Sequence, residues 1–376
     1  MVPPVPELVE LRRELAEKDA ELIAILSRRM HLVREVARVK SKEGLPSFDR
    51  ERESVHLDDL ASQAKAAGVP EDLVRDVFTS LFAASRGEQR RILRADVDHF
   101  SVGIIGGTQG MGAFFARVLR SAGFVVETMG LDEGSPAEEV ASRGDLVVIA
   151  VPIAATVEVV RKVAPHVRPG ACLMDVTSIK RAPLAAMLES APKGVDVVGT
   201  HPVFGPHGAS FDRQKVVLCH GRGEAGFARV KKLYEALGAE IIEATAEEHD
   251  AQMALIQVLV HAKTMVLGSV LERLEADLAR SLQFASPIYR MELAMIGRLF
   301  SQHAELYADI LTVNADAPRL SHIFEQEAAH FARAIAMGDR EAVVRRFQQV
   351  AEFMKDFASW AKKQSDAILD DVVRHG

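Results

Sequence analysis

Two segments hold the groups best suited to move a proton: Asp175-Val176-Thr177-Ser178-Ile179-Lys180 and Gly199-Thr200-His201-Pro202-Val203-Phe204-Gly205-Pro206. An imidazole titrates near neutrality, and Pro202 and Pro206 stiffen the loop expected around it, so His201 reads as a proton acceptor held in place. A lone turn histidine is usually structural; the position between prolines at a strand end favours catalysis. Farther on, Arg290 and Arg298 stand eight residues apart, nearly on one helix face. Arg298 lies in the otherwise apolar stretch 293–300 and is expected to be buried and to meet an anion. The plain alternative is solvated helix charge with Glu292 as a surface partner.

A third segment is glycine-rich: Gly106, Gly107, Thr108, Gln109, Gly110, Met111 and Gly112 follow the apolar run Val102 to Ile105 and precede the amphipathic Phe114, Phe115, Val118 and Leu119. Glycines in a strand-to-helix turn let the backbone approach a pyrophosphate and leave helix N–H groups aimed at it, so the turn points to a dinucleotide cofactor. The spacing is imperfect, because Gln109 sits where a middle glycine is expected, and a glycine-rich surface turn is the alternative. Asp132, with Glu133, offers the acid that NAD-binding folds place about twenty residues on, although just beyond Gly130. No Arg or Lys occurs from Phe124 to Val140, so NAD is favoured over NADP.

A fourth set lies at the front. Arg29 and Lys40, eleven residues apart, share a helix face, and Arg12 points roughly a quarter turn away from it, toward a different site. Asp49, Arg52 and Glu53 sit at i, i+3, i+4, and Ser85 and Gln89 at i, i+4. A salt-bridged, solvated helix surface is the alternative.

The elements that must carry these groups divide the chain in three. Apolar residues from Leu8 to Val39 recur at helical spacing without Gly or Pro, which predicts one long helix from Glu7 to about Ser41, too long for a small domain to cover and so expected to meet a second subunit. Gly44-Leu45-Pro46 breaks it, and helices from Asp49 to Ala67 and from Pro70 to Arg94 complete an all-helical unit over 1–95. Over 100–244 short Val/Ile runs alternate with helical stretches, the signature of βαβ units around a mostly parallel sheet. Beyond Thr245, whose spacing to Glu248 fits a capping box, 245–376 is helical, with breaks at Pro287 and Pro318.

Composition narrows the function. The chain has 376 residues, 48% hydrophobic and 26% charged, and a net charge of −7, which gives no basic field for nucleic acid. The start lacks a leader pattern and no stretch is read as long enough to span a bilayer, so a cytoplasmic enzyme is expected. Cys172 and Cys219 fall in apolar, strand-like runs, and no metal-binding spacing occurs; neither a disulfide nor a metal is expected.

From Val102 to Asp309 the motifs GGTQGMG, DVTSIK, THPVFGP, EEHDAQMALIQ, SPIYRMELAMIGRLF and LYADI resemble those of prephenate dehydrogenases. The resemblance implies that His201 accepts the proton of the substrate's ring hydroxyl, that Ser178 orients that hydroxyl and the histidine, and that Arg298 holds a substrate carboxylate. It places Lys180, His249, Arg290 and Tyr307 near the pocket. The helical front is similar to the all-helical chorismate mutases, whose intertwined dimer builds each pocket from both chains. That resemblance implies a pocket lined by Arg29, Lys40, Asp49, Arg52, Glu53, Ser85 and Gln89, with Arg12 entering from the partner subunit and Lys40 and Gln89 at the ether oxygen. The expectation is a multidomain bifunctional enzyme: an N-terminal all-α mutase unit of three helices, a Rossmann-type α/β dinucleotide-binding domain and a C-terminal all-α dimerisation domain. It would act as a homodimer on chorismate and prephenate, with NAD as cofactor and tyrosine as a feedback inhibitor. The rivals are an arogenate-type dehydrogenase whose helical front is only a dimerisation arm, and a nucleotide-sensing module.

Overall fold

The computed structural model describes residues 6–43, 50–94, 100–130, 136–206, 208 and 210–375. Gly44-Leu45-Pro46, Asp49, Asp132 and Glu133 lie outside them. Helix α1 (Pro6–Lys42) runs for 37 residues, about 55 Å at the usual rise, and α2 (Arg50–Ala66) and α3 (Glu71–Arg94) follow as expected. Gly68, at φ +73°, ends α2 in the left-handed conformation that suits a glycine after a helix. Both α1 and α2 pack on α3, burying Val33, Ala37, Ala61, Ala64 and Phe82. Many other apolar residues of α1, including Leu15, Ile23 and Leu32, are exposed on the single chain.

The central fold is a seven-stranded sheet. In chain order its elements are β1 (Ser101–Ile105), α4 (Gly110–Ser121), β2 (Val125–Met129), α5 (Ala137–Arg143), β3 (Leu146–Ile149), α6 (Ile153–Val163), β4 (Cys172–Asp175), α7 (Arg181–Ser190), β5 (Asp196–Pro202), β6 (Lys215–Arg222), α8 (Glu224–Leu237) and β7 (Glu240–Glu243). The strand order is β2-β1-β3-β4-β5-β6-β7, parallel throughout except where β6 runs against β5. Strands β3 and β4 are buried along their whole length, as the central strands of a sheet covered on both faces should be. The core gathers Phe114, Phe115, Phe211 and Tyr234 edge to face, with ring centroids 5.0 to 6.4 Å apart.

His201 is not in a loop after its strand; β5 continues to Pro202, and His201 pairs with Val217 of β6. The Val/Ile pattern stops at Val198, but the antiparallel partner supplies a ladder that carries Gly199 to Pro202 onward as strand. The ladder, not the prolines alone, holds the histidine.

The C-terminal helices are α9 (Ala246–Met253), continued through a π-helical turn (Ala254–Leu259) into α10 (Val260–Arg273), then α11 (Leu278–Leu282), α12 (Pro287–Phe300), α13 (Ala304–Val313), α14 (Ala317–Ala336) and α15 (Arg340–His375). Thr245 caps α9 by accepting the Glu248 N–H at 3.0 Å, and Pro287 and Pro318 fall in the first turns of α12 and α14. Contrary to expectation, Ala246–Arg273 is long and apolar enough to cross a membrane, with an 18-residue window of mean hydropathy 1.6. Gln257, His261 and Lys263 break the apolar run in the sequence without lowering that mean enough. The same composition suits a helix packed on protein: α10 lies against α12, and Lys263 pairs with Glu292 at 3.2 Å.

The chain divides into two compact units. One contains 1–151, 159–176 and 186–244, and the other 152–158, 177–185 and 245–376. The second therefore takes the starts of α6 and α7, which pack with the C-terminal helices through Ile153, Ile179, Leu299, Tyr307 and Ile310.

Candidate active sites

In the helical front, the Arg29 guanidinium donates to the Ser85 hydroxyl at 2.6 Å and lies over the Phe82 ring. Burial lowers the Arg29 pKa from its ordinary value, and the nearby Glu53 charge opposes that shift. Arg29, Glu53 and Ser85, from three helices, thus form one cluster. Gln89, one turn beyond Ser85, carries a buried side-chain oxygen with no hydrogen-bond partner among the described residues. Lys40 is half-buried, whereas Arg52 and Arg12 are exposed.

The glycine turn sits at the carboxyl end of β1, where the strand order reverses between β1 and β3. Open α/β sheets place ligands at this switch point. A Cβ at Gly106 would lie 2.4 Å from the Ala150 carbonyl oxygen, and one at Gly112 would lie 2.1 Å from that of Gly106, so both positions require glycine. Gly107 is closed in the same way by Thr128, and Gly130 by Thr108. Gly110 differs: at φ +53° it faces open space. Gln109 makes no side-chain cap, and the first turn of α4 has no acidic residue, which leaves its amides suited to a phosphate. Thr108, Gln109 and Gly110 are exposed at this end, while Met111 packs against the core. The residues present fit a dinucleotide.

His201 lies two residues beyond the Gly199–Asp175 pair that ends the β4 ladder, at the carboxyl edge of the sheet, and is 2% exposed. Its neighbour Thr200 fixes the strand: the hydroxyl donates to the Asp175 carbonyl at 2.6 Å and lies 2.9 Å from the Tyr234 hydroxyl. Burial raises the Tyr234 phenol above its ordinary range, so it stays protonated.

The second unit carries Ser178, Lys180, His249, Arg290, Arg298 and Tyr307. Lys180 is fully buried, and its backbone N–H donates to Asp250 Oδ1 at 2.7 Å; the Arg181 N–H donates to Oδ2 at 3.0 Å. His249 Nδ1 lies 2.8 Å from the same Oδ1, and Asn314 donates to the Asp250 carbonyl at 2.9 Å. Burial works to raise the Asp250 carboxyl, but the His249, Arg181 and Lys180 hydrogen bonds outweigh it and hold the carboxyl below its ordinary range. At the start of α6, Asp309 accepts the Ala154 N–H at 3.1 Å. Tyr307 is buried edge-on to His261, with centroids 5.0 Å apart; burial raises its phenol and the Arg298 charge opposes this.

Arg290 and Arg298 do share α12, but Arg298 is exposed on the single chain, contrary to expectation. Leu299 takes the inward position, while Ala294, Met295 and Phe300 in the same apolar stretch face outward with the arginine. Glu292 pairs with Lys263 and not with either arginine.

Three family models account for most of the chain: chorismate mutase type II over residues 11–90, the prephenate dehydrogenase nucleotide-binding domain over 115–243, and the prephenate dehydrogenase dimerization domain over 245–349. The T-protein of Haemophilus influenzae is 34% identical over 97% of both chains, and that of Enterobacter agglomerans is 35% identical over 97% of this chain and 98% of its own. The chain belongs to the T-protein family. Like the other members it joins chorismate mutase and prephenate dehydrogenase in one polypeptide, and both activities follow from its domains. Among solved structures, a prephenate dehydrogenase from Aquifex aeolicus, crystallised with hydroxyphenyl propionate and NAD+, shares the fold at 21% identity and TM-score 0.55 over 68% of this chain and 98% of that one. A Synechocystis arogenate dehydrogenase does so at 20% identity and TM-score 0.51.

Within a T-protein the residues that sequence reading missed are the supports. Asp250, Asp309 and Asn314 hold Lys180 and the helix starts from a distance, and only the motif around His249 hinted at Asp250. Arg86, next to Ser85 and buried, had no periodic signal of its own.

Proposed function

We propose that the mutase site of this bifunctional enzyme of tyrosine biosynthesis is the Arg29–Glu53–Ser85–Gln89 cluster, completed by Lys40, Arg52 and Asp49, with Arg12 supplied by a second subunit. The rearrangement of chorismate is unimolecular and needs neither acid nor base. Cations that clamp two carboxylates hold the compact conformer, each charge-assisted hydrogen bond contributing about 1.5 to 3 kcal/mol. Lys40 and Gln89 stabilise charge growing on the ether oxygen. The observation that carries this reading is the Arg29–Ser85 hydrogen bond together with the buried Gln89 oxygen that has no partner among the described residues; either end of that amide can occupy the place.

For the dehydrogenase, Gly106 to Gly112 hold the pyrophosphate of NAD, which when bound supplies the hydride acceptor. His201 takes the proton of the prephenate ring hydroxyl, Ser178 orients both, and Arg298 holds the surviving carboxylate, with Lys180, His249, Arg290 and Tyr307 near it. Loss of the ring carboxylate as CO2 and aromatisation make the step one-way. The active form is a homodimer in the cytoplasm: apolar residues exposed along α1 and α15, among them Leu15, Ile23, Phe353 and Trp360, are what a second copy covers. Tyrosine acts as a feedback inhibitor.

The test is a time course of chorismate, prephenate and reduced cofactor, with NAD and NADP in parallel. Chorismate disappears without cofactor and yields prephenate, and NADH then forms from prephenate faster than NADPH. NADPH forming as fast, or prephenate failing to appear, overturns the respective half.

A further inference from the structure

Arg86 follows Ser85 on α3. Its side chain is 6% exposed, among the more deeply buried charges of the helical front. Its Nη1 donates to Glu53 on α2, and its Nε lies 3.6 Å from Asp212 Oδ2. Glu53 in turn acts on Arg29. One carboxylate therefore stands between two guanidiniums, one of which turns to Ser85 and the other to the sheet domain. Asp212 belongs to the stretch between β5 and β6, directly after Phe211, whose ring packs 5.0 Å from both Phe114 and Phe115 of α4.

We infer that Arg86 is a positioning residue for the mutase: it holds Glu53 in its place in the pocket and is itself anchored by Asp212 of the nucleotide-binding fold. The inference rests on the reading that Glu53 lines the chorismate site. Chorismate brings two carboxylates, so a third negative charge in the pocket repels it unless a cation balances that charge and fixes its direction. Arg29 is already engaged with Ser85 and, on that reading, with the substrate. A planar guanidinium meets two carboxylates from different directions, whereas an ammonium is a point charge on a flexible stem. Removing the buried guanidinium leaves two partly buried carboxylates uncompensated. The mutase pocket is thereby oriented through a residue that lies in the dehydrogenase part of the chain.

The experiment uses the full chain, assaying the mutase with chorismate alone and the dehydrogenase with prephenate and NAD. Arg86→Gln raises the chorismate KM about tenfold or more with a smaller change in kcat, as loss of one partner of a buried charge pair does, and leaves the dehydrogenase constants unchanged. Arg86→Lys recovers part of the loss. Asp212→Asn raises the chorismate KM by about threefold, and the Arg86→Gln/Asp212→Asn double variant is no worse than Arg86→Gln, since the two act as one unit. A chorismate KM unchanged in Arg86→Gln, or both activities falling by one common factor, overturns the positioning role. Asp212→Asn without effect on the mutase overturns the anchor, and it decides the matter if Arg86→Gln does not fold. Glu53→Gln separates the levels: if it leaves the mutase unchanged, the assignment of Glu53 to the pocket falls; if it raises KM while Arg86→Gln does not, only the role of Arg86 falls.

Discussion

Asp250 and Lys180 stand 70 residues apart in the chain, yet the Asp250 carboxylate accepts the Lys180 backbone N–H at 2.7 Å. The other carboxylate oxygen takes the N–H of Arg181, the first residue of α7, so Asp250 serves as a cap supplied from a different helix. Asp250→Asn keeps the shape and removes the charge. We expect it to cost about 1 to 3 kcal/mol. The wild-type carboxyl is held below its ordinary range, so the stability it contributes is present above about pH 4 and is lost as pH falls through the lower folded value. Thermal melts of both proteins from pH 7 to 3 check this: the difference between them should shrink at the acid end, and a constant difference would count against the cap.

His261 gives a second window. Burial lowers its pKa from 6.5, so the unfolded chain takes up a proton more readily than the folded one. Its contribution is complete above about pH 6.5 and is lost as pH falls through the lower folded value. His261→Gln should lose less stability than the wild type between pH 7.5 and 5.5, and equal losses would show that this histidine is not buried in solution.

Separate sites predict separable losses. His201→Asn should lower prephenate oxidation by about 100-fold or more, the scale of a lost general base, while chorismate is still consumed. Arg29→Ala should do the reverse. Parallel assays of both variants decide it, and loss of both activities in either one would speak against two independent pockets.

The glycine turn predicts a graded series. Gly112→Ala drives a Cβ into the Gly106 carbonyl and should raise the KM for NAD and lower the melting temperature. Gly110→Ala meets open space and adds only the strain of a left-handed alanine, about 1 to 2 kcal/mol, so it should be the milder variant in the same melts. If Gly110→Ala proved the more damaging to stability, the packing described for this turn would be wrong.

Much of this was legible in the chain. Period-3.6 apolar spacing located α1, and short apolar runs located every strand, because burial writes itself into the order of residues. Gly106 to Gly112 between a strand and a helix was readable for the same reason, because its geometry is local; Arg29, Glu53 and Ser85 meet from three helices, which the spacing within each helix did not show.

What the sequence could not determine is what depends on a partner far away in the chain. His201 is strand because β6 pairs with it, and Arg298 is exposed because Leu299 takes the inward position. Asp250 holds Lys180, and Arg86 joins Glu53 to Asp212, through contacts between elements whose spacing carries no period. Periodicity records which face of an element is buried. Only the packing of one element on another decides which charge on that face meets which.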